Sequence, residues 1–367
     1  MSYIRLKALI TKEFFQIIRD PSSIMISILL PLVLIFIYGY GVSLDIDHLR
    51  VGLVLEDDSA EAVSFAESLT GSRYFEVTLA HSRQELEHAI VSGKIRGLIV
   101  VPAYFSRVLE TPGATAPIQV IADGSETNTA SFVQNYVRGA YEVWSKLRHG
   151  KPPPITSQTR FWYNEQLESR NFLIPGSLAI ILTLIGTLLT ALVVAREWER
   201  GTMEAMLSTP VTVTELLLGK FIPYYLLAIC SMSICVFIAY FVYSVPLRGS
   251  LLSLWLVTSL FLFAALSLGI LLSTVAKNQI VASQMAMVIG FFPAFMLSGF
   301  LFEIASMPLP IQWLTYIIPA RYFVSCLQTI FLVGNIEEVL IKNSLMMLVI
   351  GLILYLITLK KTVKRLE

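Results

Sequence analysis

The polar segment best placed to do chemistry is Ala195-Arg-Glu-Trp-Glu-Arg-Gly-Thr-Met-Glu-Ala-Met-Leu-Ser-Thr-Pro210, which lies between two long apolar runs. Arg196, Glu197, Glu199 and Glu204 give it charge of both signs, and Met203, Met206 and Leu207 recur at helical spacing. Thr212 and Glu215 follow at capping-box spacing. The pattern predicts a short helix with an apolar stripe, although a solvated loop whose charges only set topology has the same composition. Gly219-Lys220 is the one place that resembles a nucleotide loop, but Thr214 stands where the first glycine should be and Phe221 follows the lysine. Without that cradle of backbone amides the chain is expected to carry no ATPase of its own. His81 and His88 lie seven apart with no metal-ligand spacing, so no metal is assigned, and an exposed helical face accounts for them. Cys230, Cys235 and Cys326 form no disulfide framework, and packing is their default role.

Inside the apolar runs the polar side chains are few. Thr183, Thr187 and Thr190 share one helical face, and Gln279, Ser283 and Gln284 cluster further on. Such residues line a path for a solute, or they bond their own backbone and join helices; both readings fit. Phe291, Phe292, Phe295, Phe300 and Phe302 are read as an apolar pocket or outer gate or, for most of them, as packing. No charge lies inside a span to mark an ion path, and no catalytic pair stands at membrane depth. Ion-driven carriers and intramembrane hydrolases are therefore disfavoured.

These residues must be positioned by elements that live in lipid. The 367 residues are 55% apolar and 14% charged, with a mean hydropathy of +0.70, too oily for a soluble globular chain. The 27 Lys and Arg nearly balance the 26 Asp and Glu, which argues against a nucleic-acid partner. The charge is segregated: residues 45–170 hold 12 of the basic residues, 16 of the acidic ones and all four histidines. Elsewhere, charge-free intervals of 24, 25, 27, 28, 25 and 17 residues start after Asp20, Arg170, Lys220, Arg248, Lys277 and Lys342. A span needs about 20 residues, so the chain reads as a polytopic α-helical membrane protein with six transmembrane helices, the last one short. Segment 304–336 is apolar but broken by Pro308, Pro310, Pro319, Arg321 and Gly334, and it reads as short interfacial or re-entrant helices.

With the N-terminus inside, the flanks and short loops place twelve Lys and Arg on the cytoplasmic side and only Arg248, Arg321 and Lys342 outside. Both termini are then cytoplasmic and residues 45–170 extracytoplasmic. The first run is read as an uncleaved helix, 21–44, because its flanks lack a cleavage site. Residues 1–20 before it form an interfacial helix with Leu6, Ile10, Phe14 and Ile17 on one side, stopped at Asp20-Pro21. Between the first two spans, β-rich runs at 51–55, 74–79, 95–101 and 118–122 alternate with helical patterns opened by Asp58/Glu61 and Ser82/Glu85. A longer helix over 128–147 ends at Gly150 and Pro152-Pro153-Pro154, with a return strand near 159–163. This predicts a small extracytoplasmic α/β domain between helices 1 and 2. The rest divides into helices 2 to 6 over 171–359, with loop 196–220 and outer segment 304–336, and a cytoplasmic tail, 360–367.

Taken in order, Arg196-Glu197, Glu199, Gly201-Thr202, Leu207, Thr209-Pro210 and Gly219-Lys220 resemble the signature of type-2 permeases of ATP-binding-cassette exporters. Arg19-Asp20-Pro21, Asp123-Gly124-Ser125, Leu297-Ser298-Gly299-Phe300, Met307-Pro308 and Pro319 to Tyr322 also fit, so the resemblance spans essentially the whole chain. It implies a permease subunit of the bacterial inner membrane, paired with an identical or paralogous permease and served by separate ATPase subunits that bind the ATP and magnesium. It further implies that 197–207 is a coupling helix seated in an ATPase groove. Arg196, Glu197, Glu199, Gly201, Thr202, Glu204, Met206, Leu207 and Pro210 would carry the coupling. Helices 2 and 5 would face the dimer axis, placing Thr183, Thr187, Thr190, Gln279, Ser283, Gln284, Phe291 and Phe295 on a path for an amphipathic or hydrophobic substrate, drug-like or lipid. A periplasmic adaptor is a further partner of such systems. The alternative, a membrane-anchored sensor, needs fewer spans and a larger cytoplasmic part than this chain has.

Overall fold

A long apolar segment in lipid satisfies its backbone amides and carbonyls only along its own length, so the oily runs become helices. The computed structural model describes residues 2–41, 48–72, 74–109, 118–122, 127–149, 163–164 and 168–362. They fall into two compact units, Met1–Ser43 with Phe161–Glu367, and Leu44–Arg160. The first unit opens with α1 (Tyr3–Ile18) and α2 (Pro21–Gly41). Asp20 separates them: its carboxylate accepts from the backbone N–H of Ser22 at 3.3 Å, and Pro21 starts the helix where a missing N–H costs nothing.

The second unit runs β1 (Leu49–Leu55), α3 (Ala60–Thr70), β2 (Phe75–Ala80), α4 (Arg83–Val91), β3 (Gly97–Val101), α5 (Phe105–Leu109), β4 (Gln119–Ala122) and α6 (Thr127–His149). The strand order is β2-β1-β3-β4. β1 pairs in parallel with β2 and β3, Val51 facing both Val77 and Gly97, while β4 is antiparallel to β3. β3, and β1 from Val51 onward, read as unbroken apolar runs because both faces are covered. Val51, Leu53, Ile99 and Val101 pack with Phe65 of α3 and Trp144 of α6. Val54, Leu98 and Val100 pack with Leu86 of α4 on the other face.

The helix caps of this unit differ from those expected. Ser59, not Asp58, caps α3 by accepting from Ala62 N–H at 3.2 Å. Ser82 caps no backbone group and instead donates to Glu85 at 3.1 Å. His81 and His88 are exposed. Residues 150–162, with the three prolines and most of the expected return strand, lie outside the described residues, as do Asp123-Gly124-Ser125; Tyr163 sits in a bend with φ 71°.

The first unit resumes with α7 (Ser169–Glu199), α8 (Thr202–Leu207), α9 (Val213–Phe241) and α10 (Leu251–Ala276). α11 (Gln279–Leu297), α12 (Leu309–Thr315), α13 (Pro319–Val333) and α14 (Glu337–Lys361) follow. Among the described residues six helices, α2, α7, α9, α10, α11 and α14, are each long and apolar enough to cross a membrane. α7 is the axis of the bundle: 89% of its most apolar window is buried, against 17% for α14. One expectation changes here. The last span is not short, since α14 has 25 residues and carries the exposed Lys342 within it. In segment 304–336, read as interfacial or re-entrant helices, α12 and α13 meet at an 83° bend, as in a re-entrant loop or a broken span, and Phe323, Cys326, Leu327, Ile330 and Phe331 of α13 are fully buried in the bundle core.

Candidate functional site

The most unusual chemistry sits where α1, the end of α7 and the start of α9 converge. Lys220 on α9 is 2% exposed and donates to Glu13 at 2.8 Å and Glu197 at 3.3 Å. Lys12 adds contacts of 2.5 Å to Glu197 and 3.1 Å to Glu13. Burial opposes the charge on Lys12, but Glu13 and Glu197 beside it win and raise its pKa above the ordinary lysine value. Glu13 and Glu197 are 2% and 3% exposed, so two carboxylates and one ammonium are buried together with Lys12 as their half-exposed partner. Gly219 makes the approach possible: a Cβ there would come within 2.7 Å of the Leu9 Cβ on α1. The Gly-Lys pair thus has a packing role and an ionic role, neither of which involves phosphate.

A second tie lies one turn away. Arg196 donates to Asp20 at 2.6 Å, and Asp20 also accepts from the hydroxyls of Ser22 and Ser23, each at 2.6 Å. Partial burial would raise the Asp20 pKa, yet these three donors hold it well below the carboxylate range. Glu215 forms the expected capping box with Thr212, whose N–H donates at 2.9 Å. The same carboxylate accepts from Ser2 N–H at 2.5 Å, and Arg5 reaches both Glu215 and the Pro210 carbonyl. The N-terminal helix is therefore fixed to the 197–220 segment from Ser2 to Glu13.

That segment is not one helix. Glu197 and Glu199 belong to the last turn of α7, and Gly201, at φ 69°, breaks the helix before α8 begins at Thr202. A left-handed residue at this point favours glycine. Thr202 donates to the Glu197 side chain, tying α8 to the ion cluster. The sequence pattern placed Glu197 on the loop helix, whereas its carboxylate faces inward, toward Lys12 and Lys220. The stripe also divides: Met203 is buried among Val194, Leu216, Leu217 and Ile270, Met206 is half-buried, and Glu204, Ala205 and Pro210 are exposed. Glu199 accepts from Gln279 N–H at 2.8 Å and from its side-chain amide, pinning the start of α11. A groove of about 290 Å³ between α1 and α8 is lined by Lys12, Gln16, Glu197, Arg200, Thr202, Ala205, Met206 and Thr209.

The residues read as a path separate in the same way. An apolar cavity of about 420 Å³ between α7, α10, α11, α12, α13 and α14 is lined by Thr183 and Thr187, with Phe261, Val288, Pro293, Leu297 and Ile318 among its other walls. Both hydroxyls are spent on the preceding turn, Thr183 on Ala179 O and Thr187 on Thr183 O, each at 2.7 Å. Thr190 bonds Gly186 O at 2.5 Å and reaches Leu266 O at 3.3 Å across to α10. Gln279 is held by Glu199, Ser283 bonds Ile280 O at 2.8 Å, and Gln284 is exposed; none of the three lines that cavity. Phe291 and Phe295 stack at 5.9 Å, and Phe295 meets the buried Phe300, so they also pack outside it.

Sequence reasoning missed Lys12, Glu13 and Asp20 as partners. The signal for Glu13 was present: it lies on the inward stripe with Leu6, Ile10 and Ile17, where a lone carboxylate requires a cation. Phe14, assigned to that stripe, is instead 51% exposed.

A six-span bundle with a short helix hung from its central span, and an amphipathic helix clamped beside it, is the architecture of a membrane transport subunit. The chain belongs to the ABC-2 family of transporter proteins, whose model matches residues 21–360. Over its whole length it is 51% identical to a probable multidrug ABC transporter permease, YbhS, of Escherichia coli strain K12, covering 99% of that relative. It is 32% identical to a second such permease of the same strain, YbhR, over 89% of this chain and 90% of the other. The inner membrane transport permease YhhJ of that strain is 28% identical over 73% and 72%. The protein is accordingly a membrane permease subunit of ATP-binding-cassette exporter type.

Proposed function

We propose that the chain pairs in the membrane with a second permease, identical or paralogous, and exports a hydrophobic or amphipathic compound, drug-like or lipid, when two separate ATPase subunits close beneath it. The observation that carries this reading is the mechanical continuity at α8. Glu204 and Ala205, with Pro210 just beyond the helix, are exposed, while Met203 and Thr202 fasten the same short helix to α7, α9 and α10. A push on its outer face would be delivered to the central span rather than absorbed by a slack loop. Arg196, Glu197 and Gly201 act in this scheme as the fastening, not as the surface read by the ATPase. ATP and magnesium belong to the partner. The end bearing α1 and α8 is then cytoplasmic, and residues 45–170 are extracytoplasmic, where an adaptor would meet them.

The 420 Å³ cavity fits the substrate class, because it offers apolar walls and almost no free hydrogen-bonding groups. Multidrug transport is the description carried by the two relatives above, and this cavity is compatible with it. The test is Glu204→Arg combined with Ala205→Trp, both on the exposed face of α8. The variant should insert at wild-type levels, copurify at least about 10-fold less ATPase, and lose export, since an interface centre commonly costs about 2 kcal/mol or more when altered. Normal copurification and export from that variant would remove α8 as the coupling element.

A further inference from the structure

A cavity of about 500 Å³, separate from the intramembrane one, opens between α1 and the end of α7, lined by Lys12, Phe15, Gln16, Arg19, Asp20, Arg196 and Arg200. Four of those seven residues are cationic and one is a carboxylate. Lys12 is engaged with Glu13 and Glu197, and Arg196 with Asp20, but Arg19 and Arg200 have no carboxylate within ion-pair distance among the described residues. Two guanidinium groups therefore face one cavity with their charge uncompensated. A planar guanidinium matches the oxygens of a phosphate in a bidentate fashion better than any other side chain does.

What surrounds the cavity selects among anions. On the helical wheel of α1, Phe14, Phe15 and Ile18 fall on one arc, and Arg19 and Lys12 on the next. Those three apolar side chains are 51%, 55% and 54% exposed, and nothing in the described chain covers them. In water such an arc is costly; at the boundary of a bilayer it is where acyl chains lie, with the headgroup one step around the helix. The transition from apolar arc to basic cavity follows the axis of a phospholipid from tail to phosphate.

We propose that this cavity is a binding site for the headgroup of an anionic phospholipid, with Arg19 and Arg200 holding the phosphate and Phe14, Phe15 and Ile18 resting against the acyl chains. The lipid would bridge α1 to the last turn of α7 and so add a non-protein tie to the two ionic ties already present.

The full-length chain in neutral detergent is titrated with dioctanoyl phosphatidylglycerol, dioctanoyl phosphatidylcholine, glycerol 3-phosphate and inorganic phosphate, binding being read by native mass spectrometry and thermal shift. Phosphatidylglycerol should bind saturably, at least about 10-fold tighter than each of the other three. Arg19→Gln with Arg200→Gln should lower that affinity about 10-fold and leave phosphatidylcholine unaffected, whereas Arg19→Lys with Arg200→Lys should retain most of it. Arg200→Gln alone, at an exposed helix end, should cost about 3-fold if the double variant does not fold. Equal affinity for the two lipids, competition by inorganic phosphate at matched concentration, or unchanged phosphatidylglycerol affinity in the glutamine variants would overturn the proposal. So would loss of ATPase copurification in the glutamine variants with lipid binding intact, which would assign the cavity to an acidic protein surface.

Discussion

Lys220 holds two buried carboxylates, and one oxygen of Glu13 has no hydrogen-bond partner among the described residues. A cluster of this kind is poised between attraction and desolvation, so what matters is which member is removed. Lys220→Ala leaves Glu13 and Glu197 facing each other with only the half-exposed Lys12 between them, an uncompensated burial that typically costs about 3–5 kcal/mol. Lys220→Met combined with Glu13→Gln and Glu197→Gln removes the charge as a set and should cost much less. The expected order of melting temperature in detergent is wild type, triple variant, then Lys220→Ala lowest; Lys220→Ala as stable as wild type would show that the cluster is solvated. At this scale the sequence was only partly readable. Arg196, Glu197, Lys220 and the Thr212–Glu215 cap were all singled out, but partners 176 to 207 residues apart are joined by tertiary packing that no local spacing encodes. The threonines of α7 show the same limit. Their shared face follows from helical period, whereas the carbonyls that occupy their hydroxyls were one of two open alternatives.

Charge gaps located the six helices that, among the described residues, are each long and apolar enough to cross a membrane, because a charge inside lipid is expensive, yet they did not reveal the burial of α13 and did not locate helix ends. α14 starts five residues before Lys342, since an exposed lysine near a helix end can extend its ammonium to the interface while the backbone stays helical. The reverse holds at 197–207, where charge continues without a gap and Gly201 ends the helix through its backbone. Packing between elements depends on small residues for which composition has no signal. α7 and α10 approach where a Cβ on Gly269 would lie 2.5 Å from Thr187 O and 3.1 Å from Gly186 O, and one on Gly186 would lie 2.9 Å from Ala265 Cβ. Helices in lipid associate through this kind of close backbone contact. Gly269→Leu must separate the two helices and should abolish detergent-stable protein. Gly139→Ala in α6, where an added Cβ meets nothing within 4 Å, should be neutral or stabilising by about 0.5–1 kcal/mol. Size-exclusion profiles and melting curves of the two variants compare them directly, and a well-folded Gly269→Leu chain would contradict the α7–α10 contact.

Orientation is a property of the whole molecule and rests on physics that no contact reports. Twelve Lys and Arg against three, counted over flanks and short loops, favour the side from which synthesis proceeds, because translocating each cation is opposed. The large unit between α2 and α7 does not vote, since long domains cross regardless of charge. The ion cluster sets which elements share an end: α1, α8 and the start of α9 are locked together, so reversing any one of them would break Lys220–Glu13 and Arg196–Asp20 at once. A single reporter on each side therefore decides the topology of the whole. In a background with Cys230, Cys235 and Cys326 replaced, Glu87→Cys on the exposed face of α4 and Ser208→Cys just after α8 are both accessible to a membrane-impermeant maleimide. Glu87→Cys should label in intact cells stripped of the outer barrier, and Ser208→Cys only after the inner membrane is opened. Labelling of both from the same side would mean that α7, which joins the α/β unit to α8, does not cross the membrane, and would remove the six-span reading together with the proposed coupling geometry.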